Sequence, residues 1–251
     1  MEPAFTSAVT TKGLEFIELT TPDADALGDY LTQLGFSAVA KHRHKPVLLY
    51  RQGAVNLIVN SAQSGAVHDL ALEKGVSVCA IALRVNDAQA AYQTLLDRGA
   101  WEAETQAGVM ELNIPAIEGV GGTQIFLVDR FDGPISIYDV DFLPLDSAQK
   151  SVGPALESDH FALNGLTASV AAGRAGQWRE FFTQLLGFTL ESNGDVAAHG
   201  FTVRFDESTL PEDAEVNDEG YTALRLNTQS KVTALPKGLK SALTWVSEAN
   251  A

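Results

Sequence analysis

The chain has 251 residues, 45% of them hydrophobic and 20% charged, which is ordinary for a soluble globular protein with one large or two moderate domains. Its 32 acidic and 17 basic residues give a formal charge of -15, so nucleic acid and anionic membrane surfaces are not expected partners. The N-terminus has no basic and apolar leader pattern, and no apolar run approaches the ~18 residues that span a bilayer, so we expect a cytoplasmic protein.

The first elements follow the order strand, helix and three strands. Alternating residues at 14–19 predict a half-buried strand. The run Thr21-Pro22-Asp23 is typical of a helix start, and apolar residues then recur at helical spacing until Gly35 ends the helix. Short strands are expected at 36–40, 47–51 and 54–60.

The same order then repeats along the chain. A strand is predicted at 78–85 and a helix at 87–98, with further strands around 110–114, 123–128 and 135–142. The only cysteine, Cys79, lies inside the first of these strands and is expected to be a small buried side chain. Two such units, each with one uncovered sheet face, are expected to join around a shared cavity.

A third and a fourth copy are weaker. The third is expected as a strand at 163–170, a helix at 177–186 and strands at 188–191 and 201–205, followed by an acidic loop over 206–219. The fourth is expected as a strand at 221–226 and a helix near 238–246, with no residues left for its final three strands. The loop at 146–154 suggests a boundary between a domain at 1–150 and a shortened domain at 151–251.

Several runs in the first half resemble 4-hydroxyphenylpyruvate dioxygenase and lie in that family's order. They are GLEFIE at 13–18, KHRHK at 41–45, LYRQG at 49–53, MELNIPAI at 110–117, GVGG at 119–122, LVDRF at 127–131 and SIYDVDF at 136–142. A weaker resemblance continues through Gly173-Arg174, Trp178 and Phe181-Phe182. The resemblance implies an α+β class and the vicinal-oxygen-chelate fold of paired βαβββ units, with one complete two-unit domain and a shortened second one.

The resemblance also implies where iron would bind. That family holds Fe(II) through two histidines and a glutamate in its second half. Matching the sequence to the family places Gly165 and Ala223 at the two histidine positions, and the glutamate strand has no counterpart. His160 lies five positions before Gly165, an odd offset that places it on the other face or outside the strand. No metal ligand or catalytic residue is therefore carried over, and we expect no cofactor.

The first half offers a possible polar cavity of its own. Its equivalent positions are Phe16, Ala80 and Asp139, and the period of two places Glu18, Arg84 and Asp141 on the same faces. One interpretation is an internal ion pair between Glu18 and Arg84. The other is a pocket for a small aromatic acid, with Glu18, Arg84, Asp139 and Asp141 as candidate ligand-binding residues.

Three functions are compatible with the sequence. The first is a non-catalytic relative that binds a small molecule or a partner, with its open sheet edge covered in a homodimer or by a partner chain, in connection with aromatic compound metabolism. The second is an active non-haem iron dioxygenase that acts on an aromatic 2-oxo acid and binds Fe(II). The third is another reaction of the superfamily in the N-terminal cavity, and resemblance alone does not decide among them.

Overall fold

A computed structural model describes residues 9–105, 107–108, 111–145, 161–228, 232 and 234–248. These residues form two mixed sheets, one of eight strands and one of six. The α+β class and the βαβββ pattern predicted from the sequence are confirmed.

The first unit matches its prediction closely. Asp23 caps the helix by accepting a hydrogen bond from the backbone N–H of Ala26 at 2.9 Å, which satisfies one of the free donors of the first turn. The elements of this unit are β1 (Leu14–Thr20), α1 (Ala24–Gln33), β2 (Ser37–His42), β3 (Val47–Gln52) and β4 (Val55–Asn60).

The second unit has two helices that the sequence did not suggest, α2 and α4. Its elements are α2 (Ala66–Lys74), β5 (Ser77–Arg84), α3 (Ala88–Asp97), β6 (Ala116–Glu118), β7 (Gln124–Val128), α4 (Ile137–Asp141) and β8 (Phe142–Pro144). The strand predicted at 110–114 is wrong for the described residues 111–114, since the strand begins at Ala116. The strand predicted at 135–142 is also wrong, because Ser136 and Asp139 form a capping box that starts α4.

The order of the eight-stranded sheet is β6-β7-β5-β1-β4-β3-β2-β8. In each unit the first strand pairs in parallel with a later one, β1 with β4 and β5 with β7. The two units join through the antiparallel pair β1 and β5. This is the paired arrangement that the repeat predicted.

The six-stranded sheet has the order β10-β11-β12-β9-β13-β14. Its elements are β9 (Phe161–Ser169), α5 (Ala175–Glu180) with a π-helical continuation over Phe181–Leu185, β10 (Thr189–Leu190), β11 (Val196–Ala198), β12 (Phe201–Asp206), β13 (Gly220–Thr228) and β14 (Thr244–Ser247). Residue Glu219, at the start of β13, is fully buried. Its carboxylate accepts hydrogen bonds from the backbone N–H of Ala171 (3.1 Å), Nε of Arg174 (2.6 Å) and Nε1 of Trp178 (2.9 Å).

The helix predicted near 238–246 is wrong. Strand β14 occupies this region and pairs in parallel with β13, as β7 does with β5. Contacts with the first half hold this segment in an extended conformation. The ring of Trp245 packs edge-on against Tyr30 with 5.4 Å between the centroids, and the backbone N–H of Val76 donates to the carbonyl oxygen of Lys240 at 2.8 Å. These contacts outweigh the helical spacing of its apolar residues.

One hydrophobic core runs through both halves. It includes Ile17 of β1, Leu166 of β9 and Leu224 of β13, all fully buried, with the helices packed against it. The halves also approach closely at two glycines with positive φ. A Cβ atom on Gly75 (φ 74°) would overlap the backbone of Lys240, and one on Gly121 (φ 60°) would overlap the backbone of Glu219.

A second apolar cluster lies on the face of the first sheet opposite the core. Its buried members are Phe16, Ala40, Val47, Leu49, Ile58, Ala82, Val128, Ile137, Tyr138 and Phe142.

Within the described residues, no helix has both the length and the hydropathy required to cross a bilayer.

Candidate functional site

A bulge in β1 turns Glu15 toward the face of the first sheet that carries the second apolar cluster. Leu14 pairs with Leu83 and Phe16 with Ala82, so Glu15 is the extra residue of the longer strand. Glu15 is buried, and Nε of Arg84 donates to its Oε2 at 2.6 Å. Arg84 therefore pairs with Glu15, and the pairing with Glu18 expected from strict alternation is wrong.

Aromatic rings surround this ion pair. The guanidinium of Arg84 lies 5.3 Å from the ring centroid of Phe131, and that of Arg51 lies 5.4 Å from the centroid of Tyr138. Burial lowers the pKa of Arg51, and the nearby Tyr138, Glu15 and Asp139 oppose this shift. Burial also raises the pKa of Tyr138 well above its usual value, with the Glu15 carboxylate as a further cause. Tyr138 is therefore neutral at physiological pH.

Glu18 lies in a separate environment. Its Oε1 accepts a hydrogen bond from Nδ2 of Asn60 at 2.7 Å, and Sγ of Cys79 lies 3.5 Å from its backbone oxygen. Burial raises the pKa of Glu18, while Asn60, Lys45 and Cys79 oppose the shift. Burial likewise raises the pKa of Cys79 well above that of a free thiol, which suits the small buried side chain predicted for it.

Asp139 and Asp141 are each engaged locally. One carboxylate oxygen of Asp139 accepts from the backbone N–H (2.9 Å) and the hydroxyl (2.7 Å) of Ser136, which caps α4. Asp141 is buried and accepts from the backbone N–H of Leu112 at 3.0 Å. The four predicted site residues thus have four different main partners. Their role in binding a ligand stays a prediction.

The second sheet contains the two positions that the family resemblance matches to iron ligands. Gly165 lies on β9 and Ala223 on β13, and Gly165 is directly opposite Arg225 in the antiparallel register. A Cβ atom on Gly165 would overlap the carbonyl and hydroxyl oxygens of Thr202 and lie 2.8 Å from Nη2 of Arg225. There is no room for a larger side chain at Gly165 in this arrangement.

The space beside Gly165 contains a network centred on Arg225, which is 4% exposed. Its Nη1 donates to Oδ2 of Asp195 at 3.1 Å and to Oε1 of Glu248 at 3.4 Å, and its Nη2 donates to the hydroxyl of Thr202. Arg204 also holds Asp195, through two hydrogen bonds of 3.0 Å. We call these five residues the Arg225 network.

The residues at these two positions do not fit a bound Fe(II). Glycine and alanine have no side-chain donor atoms, and the nearest charged group to Gly165 is a guanidinium, which repels a dication. In the part of the chain that the structure describes, no three His, Cys, Asp or Glu side chains are grouped to hold a metal ion. His160, the histidine closest to Gly165 in sequence, lies outside the described residues.

Sequence reasoning missed both clusters of buried charge. Strict alternation places Glu15 on the face opposite Phe16, and the bulge that brings both to one face has no signal in the alternation. Arg225 interrupts the apolar run of β13, TALRLNT, and a single arginine inside an apolar strand is a signal that could have been used. Its partners Asp195 and Glu248 are distant in sequence and could not have been named.

Comparison with known proteins gives consistent matches. Residues 5–143 match the family described as hydroxyphenylpyruvate dioxygenase, HPPD, N-terminal. A 4-hydroxyphenylpyruvate dioxygenase from a Pseudomonas species is 38% identical over 219 residues, which are 87% of this chain and 58% of that one. A 3-dehydroshikimate dehydratase from Pseudomonas putida is 32% identical over 181 residues, 71% of this chain and 28% of that one.

A solved structure shows the same fold. The structure of a xylose isomerase-like TIM barrel/4-hydroxyphenylpyruvate dioxygenase fusion protein covers 92% of this chain and 39% of its own, with a TM-score of 0.69 and 24% identity. At this identity the likeness concerns the fold alone. The chain spans 58% of the length of the Pseudomonas dioxygenase and smaller shares of the two longer proteins.

Proposed function

The chain belongs to the hydroxyphenylpyruvate dioxygenase family, and from that premise we propose that it is an iron-free, non-catalytic binding module of the family. The observation that carries the proposal is the pair of positions Gly165 and Ala223, whose side chains have no donor atoms, together with the Arg225 guanidinium beside Gly165. Since the family resemblance assigns two histidines to those positions, oxygen activation on iron has no support there.

A partner-binding role has more support than a role in binding small molecules. The face of the first sheet opposite the core carries its own apolar cluster, and one face of the second sheet carries the Arg225 network. The match to the P. putida dehydratase covers only 28% of that protein, so the same module also occurs beside other sequence in longer proteins. We therefore propose a cytoplasmic scaffold, paired as a homodimer or with an enzyme of aromatic compound metabolism. A small aromatic acid near Glu18 and Arg84 is the alternative ligand.

Iron content is the deciding measurement. The protein is purified with added Fe(II) beside the Pseudomonas dioxygenase, and metal content and oxygen uptake with 4-hydroxyphenylpyruvate are measured for both. We expect near-stoichiometric iron and oxygen uptake for the dioxygenase only. The family relationship supports the rival proposal, an active dioxygenase on an aromatic 2-oxo acid. One iron per chain with substrate-dependent oxygen uptake would establish that rival.

Binding and assembly need separate tests. Light scattering measures whether the chain is a dimer, and a thermal-shift titration with aromatic acids measures ligand binding, since a ligand of the folded state raises the unfolding midpoint. A rise in the unfolding midpoint that disappears in Arg84→Met would support the small-acid alternative. It is also the binding that the third possibility, a reaction in the N-terminal half, would require. A monomer with no response to any acid would leave the scaffold role dependent on a different chain as partner.

A further inference from the structure

One face of the second sheet gathers groups from five strands or strand ends around one guanidinium. Arg225 projects from β13 and crosses β9 at Gly165, where no side chain stands in the way. Beyond Gly165 it reaches Thr202 on β12 and Asp195 just before β11. Glu248, just after β14, approaches from the other side. Arg225 can cross β9 here because residue 165 is glycine and has no side chain in its path.

One buried carboxylate depends on this guanidinium, that of Asp195, which is 4% exposed. The side chain of Glu248 is 34% exposed and contacts Arg225 at 3.4 Å and Nδ2 of Asn164 at 3.2 Å. A buried carboxylate without a cation is strongly disfavoured, because it loses its hydration without gaining a compensating charge. Arg204 supplies a second cation to Asp195, but its side chain is 46% exposed, so water screens its charge.

We propose that the Arg225 guanidinium is the resident cation of this face, in the region that the family resemblance assigns to the iron. The proposal deepens the proposed function, since it explains how an iron-free module keeps acidic groups on this face without a metal. The cation is part of the chain, so folding alone delivers it. Metal supply and chelators then have no effect on the stability of the second sheet.

The chemistry of the partners predicts what happens when the guanidinium is removed. Asp195, Glu248 and Thr202 would then present carboxylate and hydroxyl oxygens to an empty space. Such oxygens are the ligands that Ca²⁺ and Mn²⁺ prefer. Free guanidinium ion has the shape and charge of the missing group. Either cation should therefore stabilise the variant and leave the wild type unaffected.

The test compares Arg225→Ala, Arg204→Ala and wild type by thermal unfolding, with and without low concentrations of Ca²⁺, Mn²⁺ or guanidinium. Loss of one partner of a buried pair should lower the unfolding midpoint of Arg225→Ala by roughly 6–20 °C. We expect the added cations to restore part of this loss. Arg204→Ala should lose less and show no response, because Arg225 still neutralises Asp195.

Two further variants keep the outcome decisive. The double variant Arg225→Ala, Asp195→Asn lacks a carboxylate, so its response to cations should be smaller than that of Arg225→Ala. Should Arg225→Ala fail to fold, Arg225→Lys retains a positive charge and should fold with an intermediate loss. The proposal is overturned if Arg225→Ala is no less stable than Arg204→Ala, or if cations shift the single and double variants equally. Iron content of the wild type is measured separately, so failure of the proposed function would be recognised independently.

Discussion

Replacing Gly165 by alanine tests whether this glycine is required by packing. The added methyl group would overlap two oxygens of Thr202 and lie 2.8 Å from Nη2 of Arg225. One oxygen belongs to the backbone of β12 and cannot rotate away, so β9 and β12 must separate, and the guanidinium must also shift to make room for the methyl group. Overpacking costs about 1–3 kcal/mol, and the rigid backbone neighbour places this change near the upper end, at about 3 kcal/mol.

Thermal unfolding followed by circular dichroism measures the effect. At about 2–4 °C per kcal/mol for a protein of this size, Gly165→Ala should lower the midpoint by about 6–12 °C. Gly220→Ala is the matched control, because Gly220 lies in the same sheet, has no positive φ and has open space around its Cβ position. We expect that control to be neutral or slightly more stable, since alanine restricts the unfolded chain.

A double variant identifies the group that suffers the collision. If the methyl group acts mainly on the guanidinium, Gly165→Ala with Arg225→Ala should be less destabilised than the sum of the two single changes. The reasoning is refuted if Gly165→Ala unfolds at the same temperature as Gly220→Ala. If the destabilisations of the two single variants add in the double variant, the methyl group does not act on Arg225, and the overlap with Thr202 alone explains the loss of stability.

Three other changes test the buried charges and the thiol. Burial raises the pKa of Glu18, so the folded state favours the protonated acid and loses stability as pH rises through the folded pKa. Glu18→Gln should therefore unfold at a higher temperature than wild type at pH 8 and at the same temperature at pH 4. A difference in unfolding temperature that does not depend on pH would contradict this. Glu219→Ala removes three hydrogen bonds at a fully buried carboxylate and should lose about 3 kcal/mol by urea denaturation, while the exposed control Glu212→Ala should lose almost nothing. Cys79 should react with a disulfide reagent only as fast as the protein unfolds, and rapid reaction of the native protein would show that its site is accessible.

Local patterns predicted the first half of the fold well because they act over short distances. The acidic helix start at Asp23, the stop at Gly35 and the strand-forming residues of β1 each reflect interactions among close neighbours. The prediction failed where a distant contact decided the outcome. The segment at 238–246 has helical spacing, yet pairing with β13 makes residues 244–247 a strand.

The candidate site was less predictable for a related reason. The family resemblance located Gly165 and Ala223, but it could not indicate what fills the space beside them. The partners of Arg225 come from residues 195, 202 and 248, which only the folded sheet brings together. In the first sheet the bulge at Glu15 makes this residue the partner of Arg84, in place of the expected Glu18.

The close approach of the halves at Gly75 and Gly121 has a mechanical consequence. Each glycine touches the backbone of the other half, and the same apolar core continues across the junction. The described parts of the two halves therefore pack together as one body, so a partner that binds one half would move the other with it. Unfolding of one sheet should therefore destabilise the other, so calorimetry should record a single unfolding transition rather than two.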